Sequence, residues 1–88
     1  MQLHVIIQGQ VQGVFFRHQT QQLATKLNIT GWIRNNSDGT VEGIFQGEEK
    51  VLKEILAFCN KGPAMAHVDK VTVQWEEVTN EYLEFTIN

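Results

Sequence analysis

The chain of 88 residues contains a single cysteine and a single proline, and its seven Lys and Arg are outnumbered by ten Asp and Glu. Each scarcity excludes something. Cys59 has no partner for an internal disulfide, so the expected compartment is reducing, the cytoplasm. No apolar run nears the roughly 18 residues that a membrane span requires. Nor does a signal-peptide pattern open the chain, since Met1 leads within two residues into a strand-like segment. A nucleic-acid binder gathers Lys and Arg into a stripe, because phosphate contacts supply most of its affinity. Here the formal net charge is −3 and Lys26, Lys50, Lys53, Lys61 and Lys70 stand singly, so neither a nucleic acid nor a membrane is an expected partner. Clusters of carboxylates or histidines that would hold a metal are also missing, and no cofactor is expected. Linkers, repeats and low-complexity tracts are absent too. With 42% apolar and 19% charged residues the composition is that of one globular domain over residues 1–88.

What is present is alternation. Leu3, Val5 and Ile7 interleave with His4, Ile6 and Gln8, the two-residue period of a strand. Gly9-Gln-Val-Gln-Gly13 then reads as a break. Phe16, Thr20, Leu23, Ala24 and Leu27 recur at helical spacing. Strands follow over Ile29–Asn35 and Val41–Gln46, joined by the hairpin chemistry of Asn36-Ser-Asp-Gly39. Val51, Leu52, Ile55, Leu56 and Cys59 mark a second amphipathic helix, closed by Asn60-Lys-Gly-Pro63. Val71, Val73 and Trp75 predict a fourth strand, and Leu83, Phe85 and Ile87 a short fifth. This order, β-α-β-β-α-β plus a terminal strand, predicts an α+β, ferredoxin-like split β-α-β sandwich with two helices on one face of a mixed, mainly antiparallel sheet. In that topology the third strand lies between the first and second. The C-terminal ends of strands one and two then meet one sheet edge, roughly 10 Å apart.

Two polar stretches converge there. In Gly9-Gln-Val-Gln-Gly-Val-Phe-Phe-Arg17 the glycines permit close approach of an anion to the backbone, and the loop feeds a helix start whose free N–H groups favour negative charge. Arg17 adds a planar fork suited to phosphate, although a cation at a helix N-terminus opposes the dipole. Loop and guanidinium together form an oxyanion or phosphate cradle in this reading. The same residues also suit an ordinary strand-to-helix turn with a solvated Arg17. In the second stretch, Gly31 to Glu42, Asn35 ends strand two at the cradle's edge. Its carboxamide suits orientation of a water molecule, or simply the opening of a turn.

These stretches resemble the acylphosphatase family. Its pattern Gly-x-Val-Gln-Gly-Val-x-Phe-Arg is met by Gly9, Val11, Gln12, Gly13, Val14, Phe16 and Arg17. Its block Gly-Trp-Val-x-Asn-x-x-Asp-Gly is met by Gly31, Trp32, Asn35, Asp38 and Gly39, with Ile33 in place of Val. The similarity runs along essentially the whole chain, and its departures, His67 for a frequent Arg and an end at Asn88, are peripheral. The resemblance implies metal-free hydrolysis of a small acyl phosphate to a carboxylate and inorganic phosphate, the latter also a competitive inhibitor, by a monomeric enzyme. It implies that Arg17 and Asn35 are catalytic, and that the N–H groups of Gln12, Gly13, Val14, Phe15 and Phe16 hold the phosphoryl oxygens. Acetyl phosphate, carbamoyl phosphate and 1,3-bisphosphoglycerate all carry the reacting group.

Other conspicuous residues read as structural. His18 is offset by about 100° from Arg17 on the helix and is expected to face outward. Phe15, Trp32, Phe45, Phe58, Trp75 and Phe85 are expected to pack in the core or on the sheet, and Cys59 as a small apolar residue. Two other functions share the topology. An RNA-recognition module needs a basic and aromatic third strand, whereas Thr40-Val-Glu-Gly-Ile-Phe-Gln46 carries an acid and no Arg. Domains resembling this one also open large carbamoyltransferases with zinc-binding domains; with one Cys and an end at Asn88, a free-standing enzyme is the expectation.

Overall fold

A computed structural model describes all 88 residues. The chain forms β1 (Gln2–Gln10), α1 (Phe16–Lys26), β2 (Thr30–Asn35), β3 (Val41–Gln46), α2 (Glu49–Lys61), β4 (His67–Glu76) and β5 (Phe85–Ile87). The sheet order is β4-β1-β3-β2-β5. β1 pairs antiparallel with β3 and β4, β2 antiparallel with β3, and β5 parallel with β2. The split β-α-β arrangement is therefore present as the element order implied, with β3 between two strands that run the same way.

Strand alternation decides what each face does. Leu3, Val5 and Ile7 are fully buried against the helices. They meet Phe16, Thr20 and Ala24 from α1 and Leu52, Ile55 and Cys59 from α2. Each aliphatic side chain buried in this way contributes roughly 1.5–3 kcal/mol. Thr20 is tolerated at the centre because its hydroxyl donates to the Phe16 carbonyl at 2.7 Å, so no polar group is stranded. On the open face, His4 accompanies Trp32, Arg34 and Glu42.

The boundaries differ from the sequence reading in ways that have causes. Gly9 does not break β1, which continues through Gln10 with a register shift between Gln8 and Gly9. At φ 135°, a Cβ on Gly9 would run into the His67 carbonyl of β4. Here glycine marks a bulge and a close strand contact, not an end. β2 starts at Thr30 rather than Ile29, because the Ile29 N–H is spent on the Ala24 carbonyl at the end of α1. Ladder pairing with the C-terminal segment consequently begins at Gly31, whose N–H donates to the Glu84 carbonyl. Leu83 falls outside β5 and is 95% exposed. Trp75 shares the helix-facing side with Leu3, its partner in register, but lies on the edge strand and stays 40% exposed. Phe15, also expected to pack, is 65% exposed. No helix is long and apolar enough to cross a membrane.

Candidate active site

The loop between β1 and α1 is pinned at both ends by apolar burial. Val11 is sunk in the core, as is Phe16, whose ring packs 6.0 Å from that of Phe58. Between these anchors the backbone curls. Gly13 has φ 74° and Phe15 φ 64°, while Val14 between them and the helical Phe16 after them keep negative φ. Alternation of left- and right-handed residues turns successive N–H groups toward one side, the geometry of an anion nest. Those donors are free: none of the thirteen backbone hydrogen bonds outside helices and strands is donated by a residue from Val11 to His18. α1 starts with no side-chain cap and no acidic residue in its first turn. Its own first turn therefore offers nothing to neutralise the positive end of its dipole. Arg17, the second residue of this helix, takes no part in any of the four ion pairs.

Across from this loop, the pleat of β2 separates three consecutive polar residues. Arg34 lies on the open face, with its guanidinium 3.0 Å from Glu42 Oε1 and 4.9 Å from the centre of the Trp32 ring. Glu42 Oε2 is also 2.6 Å from His4 Nε2. Burial pushes the Glu42 carboxyl up, but hydrogen bonds with His4, Asn36 and Arg34 outweigh it and hold the group below the usual carboxylate range. Asn36 belongs to the turn, donating to Thr40 Oγ1 and Glu42 Oε1, each at 3.1 Å. Asp38 closes that turn by accepting from the Thr40 hydroxyl at 2.6 Å and its N–H at 3.0 Å; these bonds lower its pKa. Asn35 alone shares the helix-facing side with Ile33. Its Oδ1 is buried and has no hydrogen-bond partner. An unsatisfied buried acceptor is uncommon in a native protein and calls for an explanation.

Both halves open into one cleft of about 260 Å³. Gly13, Arg17, His18 and Asn35 supply its polar wall, and Val11, Phe15, Phe16 and Ile87 the apolar one. Of the residues singled out from the sequence, Arg17, Asn35, Gly13, Phe15 and Phe16 thus meet at one place. Val14 and Gln12 do not line it. The Gln12 carboxamide has a different position: Nε2 donates to the Asn36 carbonyl at 2.8 Å and the Thr40 carbonyl at 2.9 Å, tying the loop to the hairpin that follows Asn35. No sequence signal announces this strut, because its acceptors are main-chain atoms 24 and 28 residues away. His18 is exposed, as helical geometry implied, yet it also stands at the cleft's rim. Ile87 was not anticipated; its register opposite Ile33 brings it there. Elsewhere, burial pushes the Cys59 thiol up to about 12, which keeps it unreactive. No three His, Cys, Asp or Glu side chains gather where they could hold a metal ion.

Fold and cleft together define a small α+β sandwich of the split β-α-β type, with an N–H-rich, cationic pocket at one end of its sheet. Comparison with known proteins narrows the class. The Acylphosphatase family model matches residues 3–87, so the chain belongs to the acylphosphatase family, hydrolases that act on acyl phosphates. The acylphosphatase of Pelotomaculum thermopropionicum is 45% identical over 84 residues, spanning 96% of this chain and 91% of that protein. Among solved structures, the acylphosphatase from Bacillus subtilis superposes with a TM-score of 0.94 at 31% identity, covering 99% of this chain and 97% of that one. One from Coxiella burnetii gives 0.91 at 36% identity, covering 99% and 90%.

Proposed function

We propose that this chain hydrolyses the carboxyl-phosphate bond of small acyl phosphates without a metal ion, acting as a monomeric cytoplasmic enzyme in which residues 1–88 are one domain. A single observation carries the reading: Arg17, free of any ion pair, and Asn35, whose buried Oδ1 has no hydrogen-bond partner, line the same cleft. An anion is the partner that Arg17 lacks, and the Asn35 carboxamide beside it supplies a polar group to hold a water molecule.

In the reaction the Arg17 guanidinium and the N–H groups of the Gln12–Phe16 loop, of which Gly13, Phe15 and Phe16 line the cleft, hold the phosphoryl oxygens. The Asn35 carboxamide hydrogen-bonds the attacking water and fixes its line of approach. The water oxygen bonds to phosphorus as the bond from phosphorus to the acyl oxygen breaks, and the carboxylate leaves with the electron pair. The proton passes to the phosphate itself. A carboxylate leaves readily, so no general acid is required. Phosphoryl transfer proceeds through a loose transition state in which positioning and charge stabilisation carry the catalysis. Inorganic phosphate, which presents the same oxygens, competes with substrate. Acetyl phosphate, carbamoyl phosphate and 1,3-bisphosphoglycerate all satisfy the chemistry of the reacting end.

The test is turnover of benzoyl phosphate before and after exhaustive chelation. Full activity is expected in both conditions. Absence of turnover would refute the hydrolytic reading, and loss on treatment with EDTA would refute the metal-free one.

A further inference from the structure

We infer that Phe15 and Ile87 form an apolar clamp for the acyl group, so that this chain prefers acyl phosphates with aromatic or long alkyl acyl groups over acetyl phosphate. The inference deepens the function proposed above and rests on it.

The cleft is lined by residues of two chemical kinds, polar and apolar. With the phosphoryl oxygens at the loop N–H groups and Arg17, the acyl group extends toward the apolar wall. Val11 and Phe16 are 1% and 2% exposed and form only its floor. Phe15 and Ile87, at 65% and 37%, are the apolar side chains left open to a ligand.

Phe15 bears two unrelated costs at one position. A bulky aromatic residue is held at φ 64°, where side chains other than glycine and asparagine are disfavoured, and most of its ring faces water. Strain kept at the wall of a binding cleft points to a use for the side chain there. The motif quoted above leaves this position unspecified, so the shared reaction does not require the ring.

The apolar surface also continues. A groove of about 500 Å³ shares Phe15 and His18 with the cleft and adds Leu23 and Phe58 from the two helices, rimmed by Gln19, Gln22 and Lys26. An acetyl group is too small to reach across the Phe15 ring, whereas a benzoyl ring or a six-carbon chain can lie against it. Ile87 closes the other side. Its place is set by the parallel register of β5 on β2, and Gln21 Nε2 secures that strand by donating to the Phe85 carbonyl at 3.2 Å.

The experiment compares kcat/KM for acetyl, hexanoyl and benzoyl phosphate in wild type, Phe15→Asn, Phe15→Leu and Ile87→Ser. Asparagine accepts the left-handed backbone, so Phe15→Asn removes the ring without straining the loop. Dividing each variant's benzoyl-to-acetyl ratio by that of wild type cancels both the intrinsic reactivity of the substrates and any general loss in the cradle. A fall on the order of tenfold is expected for Phe15→Asn and Ile87→Ser, the low end of what an apolar contact discriminates. Phe15→Leu should keep most of the preference, and hexanoyl phosphate should follow benzoyl. An unchanged ratio in Phe15→Asn, with both substrates turned over, overturns the clamp and leaves the hydrolytic function standing. Failure of wild type on all three substrates overturns that function and the clamp with it.

Discussion

Replacing Asn35 by Ala should damage catalysis while leaving the fold as stable as before or more so. A buried acceptor without a partner costs a folded protein about 1–3 kcal/mol, and Asn35 Oδ1 is such an atom. Alanine removes that cost and forfeits packing worth about 1 kcal/mol, on the scale of one buried methylene group. The net change is a gain of about 0–2 kcal/mol, and for a chain of this size each kcal/mol raises Tm by about 4–8 °C. Activity should move the other way. Loss of one oriented hydrogen bond in a transition state lowers kcat by roughly 10²- to 10³-fold. The assay pairs a thermal melt followed by circular dichroism with benzoyl phosphate turnover. Tm held or raised, with turnover nearly abolished, is the expected result. If Tm falls by several degrees while turnover persists, Asn35 is a turn-opening residue and its placement as the water's partner is refuted.

Arg17→Ala should lose on the order of 10³-fold in turnover, the scale of a transition-state arginine, and inorganic phosphate should raise the Tm of wild type but not of the variant. Gln12→Ala removes two hydrogen bonds between loop and hairpin; kcat should fall about tenfold while Tm drops only a few degrees, and a variant with wild-type kcat would show that the strut has no part in alignment. The Glu42 carboxyl is held below its ordinary value of 4.5, so its contribution to stability is complete above that pH and is lost as the pH falls through the depressed folded value. Acid melts should therefore show Glu42→Gln converging on wild type below about pH 4.5, whereas a constant gap down to pH 2 would contradict that assignment.

Much of the fold was legible because the two hydrophobic periods differ so clearly. The alternation of Leu3, Val5 and Ile7 and the spacing of Leu52, Ile55 and Cys59 each match a single element type, and the order of elements then leaves few topologies. The place of Arg17 beside the cleft was legible as well, since the glycine-bearing loop leads straight into the first turn of the helix that carries it. Errors gathered where a local rule met a tertiary partner. Gly9 looked like a break because its neighbour across the bulge, the His67 carbonyl, lies far along the chain. Leu83 looked like a strand residue because nothing nearby shows that the Ile29 N–H is turned back onto α1.

The sequence by itself therefore determined the elements, their order, the glycine-bearing loop and the arginine that follows it, because these depend on interactions within a few residues. Tertiary structure alone decided that the Gln12 side chain braces the hairpin, and that Phe15 and Ile87 stand open on the cleft wall. Those outcomes follow from strand register and from main-chain acceptors many residues away, and no pattern within a short stretch of sequence encodes either.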